Sequence, residues 1–248
     1  MKKCMCVLAF LVIASMSMAA IGPVSSVTVN VIPGDPLAVP VVYEQKILTG
    51  LTVGGYTETS LRYGTTTQYL GSSGNGLKPL IDDTDLNTGY GRTSGTHGEL
   101  ETLLFGGAKF VSANGSLPDF FLFEGAGTGS GNPDDVAIAA VFTDGTYGMA
   151  VDLPTTMAGG WGNVGTLTGG FQNGQVIAGI CWDITDLKDA AGSNLASNAV
   201  IQGVRIVHTA TRTQASGIDV CSFVAVPEPA TMILLGLGGL LAASRRKK

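Results

Sequence analysis

The stretch "VIAGICWDI", Val176–Ile184, decides the fold. Read with a period of two, Val176, Ala178, Ile180, Trp182 and Ile184 make one apolar row, while Ile177, Gly179, Cys181 and Asp183 make a mixed one. Successive side chains of a strand point to opposite faces, so the pattern predicts a strand whose even positions enter a core, Trp182 among them.

The surroundings repeat this design. Upstream, "GTLTGGFQNGQVIAG" (Gly165–Gly179) reads as a hairpin or as the entry to the strand. Further short apolar runs are expected as strands at 27–32, 41–51, 60–63, 99–105, 120–124, 136–143, 147–153, 199–208 and 218–225. Between them stand "GSSGNG", "GAGTGSGNPDD" and "TDGT", whose Gly, Asn and Asp supply the backbone angles that tight connections need. Helix is scarce: "DITDLKDAAGSN" has room for one or two turns, capped by Thr185 or Asp186. Many short strands must cover their apolar sides against each other, so the expected fold class is all-β, a jelly-roll-like β-sandwich.

In the last run, Ile218, Val220, Val224 and Val226 form the apolar row and Cys221 stands on the other side. Antiparallel pairing of this strand with Val176–Ile184 would set Cys181 opposite Cys221, as a disulfide, and Asp183 opposite Asp219. An even number of cysteines in an exported chain supports the bond.

Export itself is read from the ends. "MKKCMCVLAFLVIASMSMAA" carries two lysines, an apolar run from Cys4 to Ile13, and small residues at Ser17, Ala19 and Ala20, the layout of a cleavable signal peptide over residues 1–20. Cys4 and Cys6 leave with it. At the other end, Ala230 to Ser244 has no charge and is followed by Arg245, Arg246, Lys247 and Lys248. As a helix it reaches only about 20–23 Å, a short span that a thinned bilayer tolerates. The four cations anchor the topology: positive residues stay cytoplasmic, which leaves the rest of the chain outside.

Pro227-Glu228-Pro229, set directly before this segment, resembles the PEP-CTERM sorting signal. The resemblance covers residues 227–248 and implies an exosortase-type membrane protease as partner. It further implies a transient membrane association through the C-terminal helix and release from the inner membrane to the cell surface or its extracellular polysaccharide. Two prolines keep the junction extended and open to a processing enzyme. A permanent anchor without cleavage is the alternative. The body between the ends, residues 21–226, is long enough for one sizeable core and carries no linker that marks a second domain.

Charge redistributes once the ends are set apart. Lys2, Lys3 and the four terminal cations account for six of the 14 lysines and arginines, while Glu228 is the one acid of 19 in those segments. The body is left near −10, which disfavours nucleic acid as a partner and suits cations.

Candidate sites lie in the loops. In "LIDDTDLNTGYG", Asp83, Asp85 and Asn87 alternate as hard oxygen ligands do in calcium loops. The same stretch resembles a rim segment of discoidin-like, galactose-binding jelly rolls, although it lacks the glycine those carry after the aspartate. Asn132, Asp134 and Asp135 form a second acidic turn before a strand, and Trp161 in "GGWGN" is placed to stack on a sugar. Hydrolytic machinery is hard to assemble: His97 and His208 belong to no HExxH or GxSxG pattern, and Glu99 and Glu101 share one strand. The expected function is therefore a non-enzymatic structural or interaction role at the cell surface; the alternative is a carbohydrate-binding module, calcium-supported.

Overall fold

The computed structural model describes residues 21–34, 37, 44–59, 61–71, 86, 98–104, 118–128, 133, 136–166, 168, 174–207 and 220–225. These residues form thirteen strands and two single turns of 3-10 helix, an all-β architecture. The strands are β1 (Gly22–Pro23), β2 (Ser26–Ile32), β3 (Gln45–Val53), β4 (Tyr56–Glu58), β5 (Arg62–Gly71), β6 (Gly98–Leu104) and β7 (Phe120–Thr128). They continue with β8 (Ala137–Phe142), β9 (Val151–Asp152), β10 (Gly162–Thr166), β11 (Gln175–Trp182), β12 (Ile201–Val207) and β13 (Val220–Ala225).

One ten-stranded sheet runs in the order β1-β11-β7-β13-β5-β6-β12-β8-β9, with β10 also paired to β11; β2, β3 and β4 make a separate sheet. Its pairs are antiparallel throughout. The β3–β4 hairpin turns through Gly54 and Gly55, both at positive φ (56° and 86°), the pair of angles that a two-residue turn requires.

Two cores explain the sheet's centre. Phe120, Leu122 and Ala126 of β7 join Val176, Ala178, Ile180 and Trp182 of β11 in the first, together with Ile138 and Ala140 of β8 and Val204 and Ile206 of β12. Strands far apart along the sheet thus contribute to one core, together with Leu153, Trp161, Ile184 and Leu187 from the connections. The opposite faces of β7 and β11 supply Phe121, Phe123, Ile177 and Cys181 to the second core, where Leu48, Leu51 and Val53 of β3 cover them. β7 is therefore buried on both sides, which is why "FFLF" is an unbroken apolar run rather than an alternating one. Phe120 and Trp182, opposite each other in the ladder, stack with ring centroids 5.8 Å apart.

The expected core row of β11 is confirmed: Val176, Ala178, Ile180, Trp182 and Ile184 all lie in the first core. The hairpin expected over Gly165–Gly179 is the antiparallel β10–β11 pair. Three expectations are corrected. β7 lies between β11 and β13, so the cysteine-bearing strands are not neighbours; Asp219, expected opposite Asp183, lies outside the described residues. The mixed row of β11 is not an outer face, since Ile177 and Cys181 are buried there. In β13, Ala225, an odd position opposite Phe120, lies in the first core, and a register shift between Val220 and Ser222 interrupts the period of two.

Candidate functional site

A cleft of about 580 Å³ opens where the N-terminal strand meets the end of β11. Ile21, Gly22 and Pro23 form one wall and the turn Met157–Trp161 another, with Cys181 among the lining residues. The local sequence dictates this arrangement. β1 and β10 share one edge of β11: Gly22 and Pro23 pair with Cys181 and Ile180, and Gly162 to Thr166 pair with Gly179 to Val176. Where the two strand ends abut, Val24 donates its N–H to the Gly179 carbonyl at 3.1 Å and is buried. A Cβ on Gly162 would overlap the Val24 carbonyl, and one on Gly179 would come within 2.9 Å of the Phe123 ring and 3.0 Å of the Val24 side chain. Two glycines thus make a seat for Val24.

Trp161 is packed down in this region rather than displayed. It is 3 % exposed, belongs to the first core, and its indole N–H donates to the Pro154 carbonyl at 2.6 Å. The expectation of an open stacking surface is corrected on that ground, because a ring with both faces covered cannot lie against a sugar.

Cys181 is a free, buried thiol. Its Sγ donates to the Gly22 carbonyl at 3.1 Å. Burial, offset in part by that hydrogen bond and reinforced by Asp183 and Asp186, pushes the thiol up to about 12. The Cys181–Cys221 disulfide is corrected for a geometric reason: with β7 between, their backbones stand about two strand spacings apart, roughly 9–10 Å, beyond what a disulfide bridges.

Just beyond Cys181, at the same end of β11, three carboxylates gather. Asp119, 1 % exposed, accepts the Ile184 N–H on Oδ2 at 2.8 Å. Asp186 accepts the Asp183 N–H at 2.9 Å, which closes the 3-10 turn Ile184–Asp186. Burial, then the charges of Asp119 and Asp186, push the Asp183 carboxyl up to about 7, against a smaller opposing hydrogen bond from the Asp119 backbone. Among the described residues no group of three or more His, Cys, Asp or Glu is placed to hold a metal ion.

The remaining expected residues lie outside the described ones: Asp83, Asp85 and Asn87 of the calcium-like loop, Pro227, Glu228 and Pro229, and the cations Arg245, Arg246, Lys247 and Lys248. Their neighbour Leu86 is described. It is buried in the second core and donates its N–H to the Lys46 carbonyl of β3. Among the described residues no helix is long and apolar enough to cross a membrane. The N-terminal seat and the acid group were missed at the sequence level, since "IGPVS" offers no periodicity and Asp119 is distant in sequence from Asp183.

The last described strand, β13, ends at Ala225, and a family match begins there. Residues 225–248 match the PEP-CTERM protein-sorting motif. The chain carries an exosortase sorting signal. No curated protein and no solved structure matches the chain. The PEP-CTERM motif implies export, processing at the membrane by exosortase, and delivery to the surface.

Proposed function

We propose that the protein is an exported cell-surface or extracellular-matrix component with a structural or interaction role and no catalytic one. In this reading its PEP-CTERM tail is a temporary membrane anchor, removed near Pro227–Pro229. The observation that carries the reading is the PEP-CTERM protein-sorting motif over residues 225–248. It follows directly on β13, an interior strand between β7 and β5. We read the body as a jelly-roll-like sandwich, the curled ten-stranded sheet supplying both of its layers, and extracellular polysaccharide as its surroundings.

The test is a change confined to the motif. Replacing Pro227, Glu228 and Pro229 by alanine should leave the uncut chain in the membrane fraction, while the unaltered protein reaches the surface. Equal surface delivery of both would overturn the reading.

A further inference from the structure

The edges of the two sheets are not alike. At one end of the large sheet β9 offers two residues, and at the other β11 is covered by β1, also of two residues, and by β10, whose ladder shifts register between Asn163 and Gly165. In the small sheet β4 has three residues. Short or bulged edges give a second chain little to pair with. β2 is different: its seven residues, Ser26–Ile32, pair on one side with β3, and among the described residues no strand pairs with its other side. The shift in that ladder leaves β2 regular, because Thr28 pairs with Gly50 and Val29 with Leu48, which makes Thr49 of β3 the extra residue.

The sequence of β2 suits an open ladder. Ser-Val-Thr-Val-Asn-Val-Ile is rich in β-branched residues and has no charge, proline or glycine, a composition that pairs readily with another strand. In a body near −10, residues 25–34 carry no charge at all, so two copies meet there with the least repulsion. The strand also complements itself. Its pattern of apolar and polar residues, Val27-Thr28-Val29-Asn30-Val31, reads the same in both directions about Val29. Antiparallel pairing with a second copy, centred on Val29, sets Val27 against Val31, Thr28 against Asn30, and Val29 against itself. Val27 and Val29 pack against the second core, whereas Val31, next in that row, is 48 % exposed. A partner's valine at position 27 would cover it.

We propose that β2 is a self-assembly edge, through which two copies of this chain join by a two-fold antiparallel β2–β2 pairing centred on Val29. The occupant is a second copy because the pattern matches itself, while an acidic or basic partner would find no charge on β2 to read. One pair of seven-residue strands buries less than a stable interface needs, so the contact is weak and takes effect where copies are concentrated.

The experiment compares the protein recovered from its own cells with two variants that keep the same C-terminus, so that any contact through the tail is common to all three. Sedimentation of the unaltered protein should show a mass that rises from one chain towards two over roughly the micromolar-to-millimolar range. Thr28→Lys with Asn30→Lys sets like charges directly opposite each other in the pairing and should abolish the rise. Thr28→Lys with Asn30→Glu sets opposite charges there and should restore it. Both positions are exposed, so the melting temperature should change little. An unaltered protein that stays at one chain throughout overturns the proposal. So does a rise that survives the double lysine change, or one that the lysine and glutamate pair fails to restore. Should either variant not fold, Val29→Cys decides: mild oxidation should link two copies through position 29, whose Cα atoms would stand about 4.5–5.5 Å apart, and peptide mapping that finds no such link overturns the pairing.

Discussion

The Cys181 thiol donates to the carbonyl of Gly22, the residue opposite it in the β1–β11 pair. A single contact thus ties the N-terminal strand to the floor of the cleft and occupies the sulfur that a disulfide would need. Cys181 should resist maleimide at pH 8 in the native protein and react after denaturation, and peptide mapping of the labelled cysteine reads this directly. Labelling of native Cys181 at the rate of an open thiol would mean that β1 does not stay seated.

The glycine seat predicts a local intolerance. Gly179→Ala places a methyl group against Phe123 and Val24, and overpacking of this kind costs about 1–3 kcal/mol. Gly162→Ala meets backbone rather than side chain, so it should cost at least as much. Gly55→Ala, with open space around it but φ of 86°, is strained only by its backbone and should be the mildest of the three. Thermal melts of the three variants give the order.

Trp161 separates a structural from a sugar-binding role. Truncating a buried tryptophan that also holds a hydrogen bond should cost about 3–5 kcal/mol of stability. Trp161→Phe, which keeps most of the apolar volume, should recover part of it. Glycan-array binding abolished in Trp161→Phe at unchanged stability would favour the carbohydrate-binding reading instead.

Asp183 predicts the sign of a pH effect in the chain that retains residues before Ile21. Its folded carboxyl is raised from 3.8 to about 7, so the folded state holds the proton more tightly than the unfolded one. That contribution to stability is neutral below pH 3.8, turns unfavourable as pH rises, and levels off above about pH 7. Asp183→Asn should therefore raise the melting temperature of the uncut chain at pH 8 and change it little at pH 4.

Much of this fold could be read from the sequence, because it follows from a local rule. The even row of β11 and the hairpin before it are set by the period of two, and both are found. What could not be read depends on which strands become neighbours. Cys181 and Cys221 looked like partners because each sits off an apolar row, yet the order of the sheet inserts β7 between them. β1 and β4 went unread because two or three residues carry no period. Trp161 looked exposed among glycines, and only its approach to Pro154 reveals a buried ring. The sorting segment was legible because its signal is contiguous: two prolines, an apolar stretch and four cations need no tertiary context.

The most direct measurement is the intact mass of the protein recovered from its own cell surface. The account predicts a chain that ends near Pro227–Pro229 and has lost the apolar segment and the four cations. Recovery of the surface form with Lys248 still in place would contradict it.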